Sequence, residues 1–126
     1  MKDMFDCVDC KDVEGFLSYL ADDVVFRFGN AQPMRGKQAV REGVLHFNSQ
    51  IVSLEHVLNG VWTHEHTTIL EFDSYYTRHD EMVVGVPCVV VLRFNPQRRI
   101  SDYRINIDLS PVFATAPDTF LIRASA

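Results

Sequence analysis

The strict alternation of apolar and polar side chains near the C-terminus constrains this chain more than any other feature. In the segment "ISDYRINIDL", Tyr103, Ile105, Ile107 and Leu109 take every second position, and polar side chains take the positions between them. Successive side chains of a β-strand point to opposite faces of a sheet, so this period of two indicates a strand with one apolar face. The segment predicts a sheet that covers a core.

Three segments upstream also read as strands, and polar turns separate them: "VSLEHVLNGVW", "TTILEFDSYYTR" and "MVVGVPCVVVLRF". With the last strand they predict a four-stranded antiparallel meander over about residues 52–110. Pro87 has no N–H for a strand ladder, which predicts an edge position or a bulge at that point. A shorter strand, "ADDVVFRFGN", places Val24, Phe26 and Phe28 on one face.

Helical spacing appears twice before the meander. One apolar stripe runs from Phe5 to Leu20, with an interruption near Cys10–Asp12, and a second lies in "GKQAVREGVLHFNSQI". These helices and the first strand occupy about residues 1–51. The order predicts an α+β fold, in which a curved sheet, mixed or antiparallel, wraps around the N-terminal helices and leaves an internal apolar cavity. Residues 111–126 form a C-terminal tail, with Pro111 and Pro117 as breakers, that we expect on the surface or on a partner.

Length and charge limit the partners. The 126 residues suit a single domain over 1–126, and the formal net charge of −5 disfavours nucleic acid and anionic membranes. No apolar run reaches the length of a membrane span, and the N-terminal segment lacks the apolar stretch of a secretory signal. Three cysteines, an odd number, fit a reducing compartment, so we expect a cytoplasmic protein.

No sequence motif points to a cofactor or a metal. The chain has no glycine-rich phosphate loop, and His64 and His66, although spaced as ligands can be, have no evident third ligand. We therefore expect no cofactor and no metal.

The ordered set of segments resembles the nuclear transport factor 2-like superfamily, which includes SnoaL-like polyketide cyclases, ketosteroid isomerase and limonene epoxide hydrolase. "FLSYLADDVVFRFGN" looks like its first helix running into its first strand, "MRGKQAVREGV" like its second helix, and "RISDYRINIDLSP" like a later strand. The resemblance covers about residues 5–113. It implies a cone-shaped fold, a small, mainly apolar ligand in the cone, and a homodimer through the outer face of the sheet.

Limonene epoxide hydrolase offers the most testable comparison within this superfamily, because its water is held by polar side chains on the first and last strands. The matching positions here are Phe26, Phe28 and Ile105, all apolar. Water activation needs a carboxylate base and polar groups that hold the water. The resemblance therefore disfavours epoxide hydrolysis by that mechanism.

The third strand of the family can be matched in two registers. In one, Glu71 and Asp73 face the cavity; in the other, shifted by one residue, Phe72 and Ser74 do, because a one-residue shift moves every side chain to the opposite face. The alternation in the last strand favours the second register, with both acids outside, as partners of Arg93 and Arg104. An outer-face ion network or dimer interface then includes Arg93, Asp102, Arg104 and Asp108.

Two main functions follow, and both use the same predicted pocket: Phe26, Phe28, Phe47, Leu70, Phe72, Tyr103 and Ile105. The first is a protein that binds a small hydrophobic molecule and has no clearly preserved catalytic set. The alternative is a cofactor-free isomerase, cyclase or hydratase, with Asp73 as general base, Glu71 as its neutral partner and Tyr103 as hydrogen-bond donor. A third hypothesis is an interaction domain whose cone is filled by its own side chains.

Overall fold

One curved, unclosed sheet and the helices on its inner face make up the fold. The computed structural model describes residues 2–114 and the backbone of residues 122–123. In chain order, the elements are α1 Lys2–Asp9, α2 Val13–Leu17, β1 Leu20–Phe28, β2 Met34–Arg35, α3 Lys37–Ser49, β3 Ser53–His64, β4 Thr67–Thr77, β5 Val83–Phe94, β6 Ile100–Ile107, α4 Ser110–Phe113 and β7 Ile122–Arg123.

The strands are arranged in the order β2–β1–β6–β5–β4–β3, and β7 pairs with the start of β5. Neighbouring strands from β3 to β6 are antiparallel, which confirms the predicted meander. β1 lies parallel to β6, with Phe26 opposite Tyr103, so the sheet is mixed. The predicted cone-shaped α+β class is confirmed.

Alternation sets the two faces of the sheet as the sequence indicated. On β4 the buried side chains are those of Thr68, Leu70, Phe72, Ser74 and Tyr76, and the residues between them are exposed or half-buried. On β6, Tyr103 is buried and Arg104 is exposed. Burying each large apolar side chain contributes roughly 1.5–3 kcal/mol, which fixes the register of the inner face.

Pro87 lies on an internal strand but at a locally one-sided position. It pairs with Asp73 of β4, whereas the pairing of β5 with β6 ends at Cys88, opposite Ile107. Among the described strands, β5 therefore pairs with β4 alone at Pro87. Pro87 thus lies at a local edge of the sheet, as predicted, although β5 as a whole is an internal strand.

The predicted interruption between the first two helices is present. Lys11 adopts a left-handed backbone conformation with φ of 58°, and Asp12 caps α2 by accepting from the N–H of Gly15 at 3.0 Å. At the start of α3, Gly36 has φ of 85° and donates its N–H to the carbonyl of Val24. Because glycine adopts this conformation without a Cβ penalty, the chain can turn there from β2 into α3.

Helix α1 packs its apolar side against the inner face of the sheet. Met4 and Phe5 are buried, and the ring of Phe5 lies 4.5 Å from that of Phe72 on β4. The main core, formed by α1, α2, β1 and the middle strands, contains Leu70, Phe72 and Tyr103. A second cluster around Ile51, Tyr76 and Val112 closes the other end.

The C-terminal segment differs from the predicted tail where it is described. Pro111 lies in the first turn of α4, where a missing N–H costs nothing, rather than breaking the chain. Residues 115–121, which include Pro117, and residues 124–126 lie outside the described residues. No helix in the described part of the chain is long and apolar enough to span a membrane.

Candidate functional site

A partly open cavity of about 60 Å³ lies between the helices and the inner face of the sheet. Five of the predicted pocket residues line it: Phe26, Phe28, Phe47, Tyr103 and Ile105. A water molecule needs roughly 10–15 Å³ of such space, so the cavity accommodates a few waters or a small organic group.

A chain of aromatic rings surrounds the cavity, and it is called the aromatic belt below. Its members are Phe16, Tyr103, Phe26, Phe28, Phe47 and Tyr76. Consecutive ring centroids are separated by 4.8 Å for Phe26 and Tyr103, and by 5.0 Å for Phe28 and Phe47. These spacings are those of interacting aromatic pairs, so the wall is both apolar and well packed.

Leu70 and Phe72 were also expected to line the pocket, and that expectation is wrong. Both point to the predicted inner face and are buried, but neither lines the cavity. Phe5 of α1 packs directly on Phe72, which separates it from the open space. Alternation determines the face of a strand, but not which part of that face a helix covers.

His56 lines the cavity and forms a histidine–carboxylate pair with Asp9. Nδ1 of His56 lies 2.6 Å from Oδ1 of Asp9, and the backbone N–H of His56 donates to Oδ2 of Asp9 at 3.1 Å. The imidazole packs against both Phe5 and Phe72, at ring distances of 5.3 and 5.2 Å, and its side chain is 10% exposed. The pair therefore combines an ordered imidazole with a mainly apolar surrounding.

This pair was not singled out in the sequence analysis. The two residues lie 47 positions apart, on α1 and β3, and no local pattern joins them. One signal was present: Leu54 and His56 share a strand face, and Leu54 is buried.

Lys11 and Asn48 bring polar groups to the same cavity. The ammonium of Lys11 donates to the backbone carbonyls of Asn48 at 2.9 Å and Ile51 at 3.0 Å. These carbonyls lie at the C-terminal end of α3, where a positive charge is favourable. Lys11 thus fastens the loop between α1 and α2 to the end of α3.

Two tyrosines of the aromatic belt carry hydroxyl groups into this buried region. Burial raises the pKa of Tyr103, which is 2% exposed, far above its ordinary value, and the nearby Cys88 and Tyr76 add to the shift. Burial also strongly raises the pKa of Tyr76. Both hydroxyls are therefore protonated at neutral pH and available as hydrogen-bond donors.

Comparison with known proteins gives a family for this arrangement. The SnoaL-like domain family matches residues 1–103, most of the chain. The chain belongs to the SnoaL-like domain family. Among curated proteins, no sequence matches this SnoaL-like protein significantly.

Solved structures share the fold of this SnoaL-like protein at low sequence identity. An NTF2-like protein of unknown function from Burkholderia pseudomallei superposes with a TM-score of 0.82 at 16% identity, over 98% of this chain and 94% of its own. A Catenulispora acidiphila protein with a ketosteroid isomerase-like fold, in complex with trimethylamine, gives 0.81 at 13% identity, over 91% and 89%. An LEH-like epoxide hydrolase of Mycobacterium tuberculosis gives 0.72 at 14% identity, over 86% and 79%.

Glu71 and Asp73 of this SnoaL-like protein do not face the cavity. Glu71 is exposed, and Asp73 is half-buried on the outer face, where its Oδ2 accepts from Nδ2 of Asn59 at 3.1 Å. Phe72 and Ser74 point inward instead. The acid–base hypothesis required Asp73 and Glu71 to face the cavity, and this placement is wrong. The register shifted by one residue, with both acids on the outer face, is the one present.

The predicted outer-face network is present in part. Asp102 accepts from Nε of Arg104 at 2.9 Å and lies 3.8 Å from Nη1 of Arg93, so the two arginines share Asp102 rather than pairing with Glu71 and Asp73. Asp108 is not a member, because β6 ends at Ile107. Its carboxylate accepts from the N–H and the Oγ of Ser110 at the start of α4, and these bonds lower its pKa.

No group of three or more His, Cys, Asp or Glu side chains with the proximity of a metal site occurs within the described residues. His64 pairs loosely with Glu65, at 3.8 Å, and both are well exposed. The polar side chains that line the cavity include an imidazole, an ammonium and two phenolic hydroxyls, which belong to His56, Lys11, Tyr76 and Tyr103.

Proposed function

We propose that this protein binds a small, mainly apolar molecule in the cavity and that His56, oriented by Asp9, transfers a proton on it without a cofactor. The reaction class is that of an isomerase, cyclase or hydratase. One observation carries the proposal: an imidazole held by a carboxylate at 2.6 Å lines the same cavity as the aromatic belt.

The geometry supports a general-base role for His56. With Asp9 accepting at Nδ1, the neutral imidazole carries its proton there and presents the lone pair of Nε2. Nε2 makes no hydrogen bond to the residues that the structure describes. The carboxylate also stabilises the imidazolium that forms when Nε2 takes a proton, as in other histidine–carboxylate pairs.

This proposal keeps the reaction class of the sequence-based alternative, but the general base is His56 instead of Asp73. Asp73 and Glu71 were to supply acid and base, but they lie on the other face of β4. Asp9 and His56 supply a carboxylate and a proton acceptor on the side where the ligand would lie.

Binding without chemistry is a second candidate. Phe26, Phe28 and Ile105 are apolar at positions where limonene epoxide hydrolase carries polar groups, and all three line the cavity. The two candidates predict the same ligand class and differ only in turnover.

A ligand screen followed by matched histidine variants tests both. Steroids, terpenoids and polyketide-like aromatics are screened by thermal shift, and the compounds that bind are incubated with protein and analysed for products. His56→Gln should lower turnover at least about 100-fold while binding is retained. His46→Gln, on the exposed side of α3, should behave as wild type. Full activity of His56→Gln overturns the catalytic part, and absence of any stabilising compound overturns the binding part.

A homodimer through the outer face of the sheet is part of the proposal. Apolar side chains are exposed on that face, among them Val57 at 40% and Trp62 at 57%. Trp62 lies opposite Ile69, and a Cβ at Gly60 would meet its indole at 2.5 Å, so the ring lies flat over the strand. An exposed, flat apolar surface of this kind is typical of an interface.

Charge favours a second copy as the occupant of this face. Glu71 and Asp73 lie on β4, while Arg93 and Arg104 lie on β5 and β6. A two-fold axis that runs along the strands between β4 and β5 places the acidic half of one copy over the basic half of the other.

The cytoplasm remains the proposed location, supported by three cysteines that are all unpaired.

A further inference from the structure

Lys11 brings a positive charge to the lining of the cavity. It is half-buried in the loop between α1 and α2, and its ammonium donates to the backbone carbonyls of Asn48 and Ile51. An ammonium has three N–H donors, and the third makes no hydrogen bond to the residues that the structure describes. One donor of a cation at the cavity is therefore available to a ligand.

No carboxylate of the described residues forms an ion pair with Lys11. By contrast, Lys37 of α3 lies 3.7 Å from Oδ1 of Asp22 at the surface. The carbonyls of Asn48 and Ile51 offset only part of the charge of Lys11, because the C-terminus of a helix acts as roughly half a negative charge. Lys11 therefore keeps a net positive charge at the cavity.

The two acids nearest to Lys11 in the sequence are bound to other donors. Both carboxylate oxygens of Asp9 are in contact with His56, one at the imidazole and one at the backbone N–H. Asp12 lines the cavity too, but it caps α2, and its Oδ1 accepts from the N–H of Gly15 at 3.0 Å. Neither acid therefore competes with a ligand anion for Lys11.

We propose that the ligand of this cavity is a small carboxylic acid, whose carboxylate forms an ion pair with the Lys11 ammonium and whose apolar body contacts the aromatic belt. This rests on the proposed function, because it requires the cavity to be the ligand site. A hydrogen bond between an ammonium and a carboxylate is about twice as strong as one between neutral groups, which favours an acid over a neutral ligand. A ligand with a basic group would instead place a second cation beside Lys11.

The size of the cavity limits the apolar body of this acid. At about 60 Å³ the cavity is less than half the size of an engineered cavity of about 150 Å³ that binds benzene. Phe26 and Tyr103 in the lining are each 2% exposed, whereas Lys11 is half-buried. The apolar end is therefore a group of a few carbon atoms at the aromatic belt, and the carboxylate lies at the more accessible position beside Lys11.

A matched pair of small probes tests the inference. Isovalerate and isovaleramide have nearly the same shape, and only the first carries a negative charge. Dissociation constants are measured by protein-observed NMR for wild type, Lys11→Met and the surface control Lys37→Met. Wild type should bind isovalerate about tenfold more tightly than isovaleramide, and Lys11→Met should remove this difference by weakening isovalerate alone. Lys37→Met should change neither affinity.

Three results would overturn the inference: equal affinities of the two probes for wild type, an equal loss of both in Lys11→Met, or tighter binding of isoamylammonium than of isovalerate. The third result would assign the aromatic belt to a cation. Salt supplies an independent check on wild type. Raising the NaCl concentration from about 0.01 M to about 1 M should weaken isovalerate and spare isovaleramide, because dissolved ions screen the pair.

If Lys11→Met does not fold, the lysine side-chain signals of wild type decide. The chain has three lysines, so selective carbon-13 labelling at Cε gives one signal for each, and Lys2→Arg and Lys37→Arg identify that of Lys11. The Lys11 signal should move more with isovalerate than with isovaleramide. No movement, or equal movement with both probes, rejects the ion pair.

Failure of this inference can be separated from failure of the proposed function. His56→Gln tests proton transfer and should keep the preference for isovalerate over isovaleramide, because Lys11 remains in place. A selective effect of Lys11→Met together with full activity of His56→Gln supports the anion site and rejects the base. Binding of a neutral compound from the ligand screen without binding of isovalerate rejects the anion site alone, and absence of any binding rejects both.

Discussion

Asp9 contacts His56 through both carboxylate oxygens, one at the backbone N–H and one at the imidazole. The contact therefore joins α1 to β3 as well as orienting the ring. A hydrogen bond to a charged group typically contributes about 1.5–3 kcal/mol, so this pair should be measurable in stability as well as in activity.

Asp9→Ala should lower the free energy of unfolding by about 2–3 kcal/mol, because it leaves the N–H and the imidazole of His56 without their acceptor. Asp9→Asn should lose less, since an amide oxygen still accepts one bond. Urea unfolding measures both. Asp6→Ala, at an exposed position of the same helix, is the control. Equal stability of the Asp9→Ala and Asp6→Ala proteins would contradict the structural role of the pair.

Glu71→Gln and Asp73→Asn should leave ligand affinity and turnover within about twofold of wild type, because both side chains lie on the face away from the cavity. Exposed charges of this kind contribute at most about 1 kcal/mol to stability. Steady-state kinetics and a thermal melt check the two expectations. A large loss of turnover in Asp73→Asn with an unchanged melting temperature would restore the acid–base role predicted for this residue.

The face assignments of Glu71 and Asp73 could be derived from sequence because the strands pair in register. Tyr103 lies opposite Leu92, and Cys88 lies opposite Phe72, so the apolar side of one strand fixes the apolar side of the next. The same reasoning wrongly placed Leu70 and Phe72 in the lining of the pocket. How deeply α1 covers the sheet depends on the packing of Phe5, and no strand pattern contains that information.

Trp62→Glu should convert a dimer to a monomer, because the substitution places a charge on the exposed apolar face of the sheet. Analytical ultracentrifugation should give twice the chain mass of 14.4 kDa for wild type and the chain mass for the variant. Leu45→Glu, at an exposed apolar side chain of α3, should remain dimeric. A monomeric wild-type protein would reject the proposed interface.

Stability should fall as pH rises from about 9 towards 11, in part because of Cys88. Burial raises the pKa of this thiol from 9.0 to about 11 in the folded protein, so the unfolded chain ionises first and binds fewer protons across this window. The free energy of unfolding then decreases by up to about 1.4 kcal/mol per pH unit for one such group.

Cys88→Val removes the thiol and should give a shallower decline over that window, measured by urea unfolding under reducing conditions. Cys10→Val is the matched control, because Cys10 is already exposed in the folded protein, and its slope should equal that of wild type. Identical slopes for wild type and Cys88→Val would show that the thiol ionises equally in both states.

The histidine–carboxylate pair could not be predicted from the sequence of this chain alone. Period-two alternation predicted the strands and the apolar wall, and Phe26, Phe28, Phe47, Tyr103 and Ile105 all line the cavity. Asp9 at the end of α1 and His56 in β3 meet only after the sheet has curved around the helices. A contact of that range follows from tertiary packing and leaves no periodic trace in either segment.

Helix α1 is a wall of the cavity through Phe5, Cys7 and Val8, and it also carries the carboxylate that orients His56. A displacement of α1 away from the sheet would open this wall and withdraw Asp9 from the imidazole in the same movement. For the proposed proton transfer, admission of a ligand past α1 and orientation of His56 would then alternate in time.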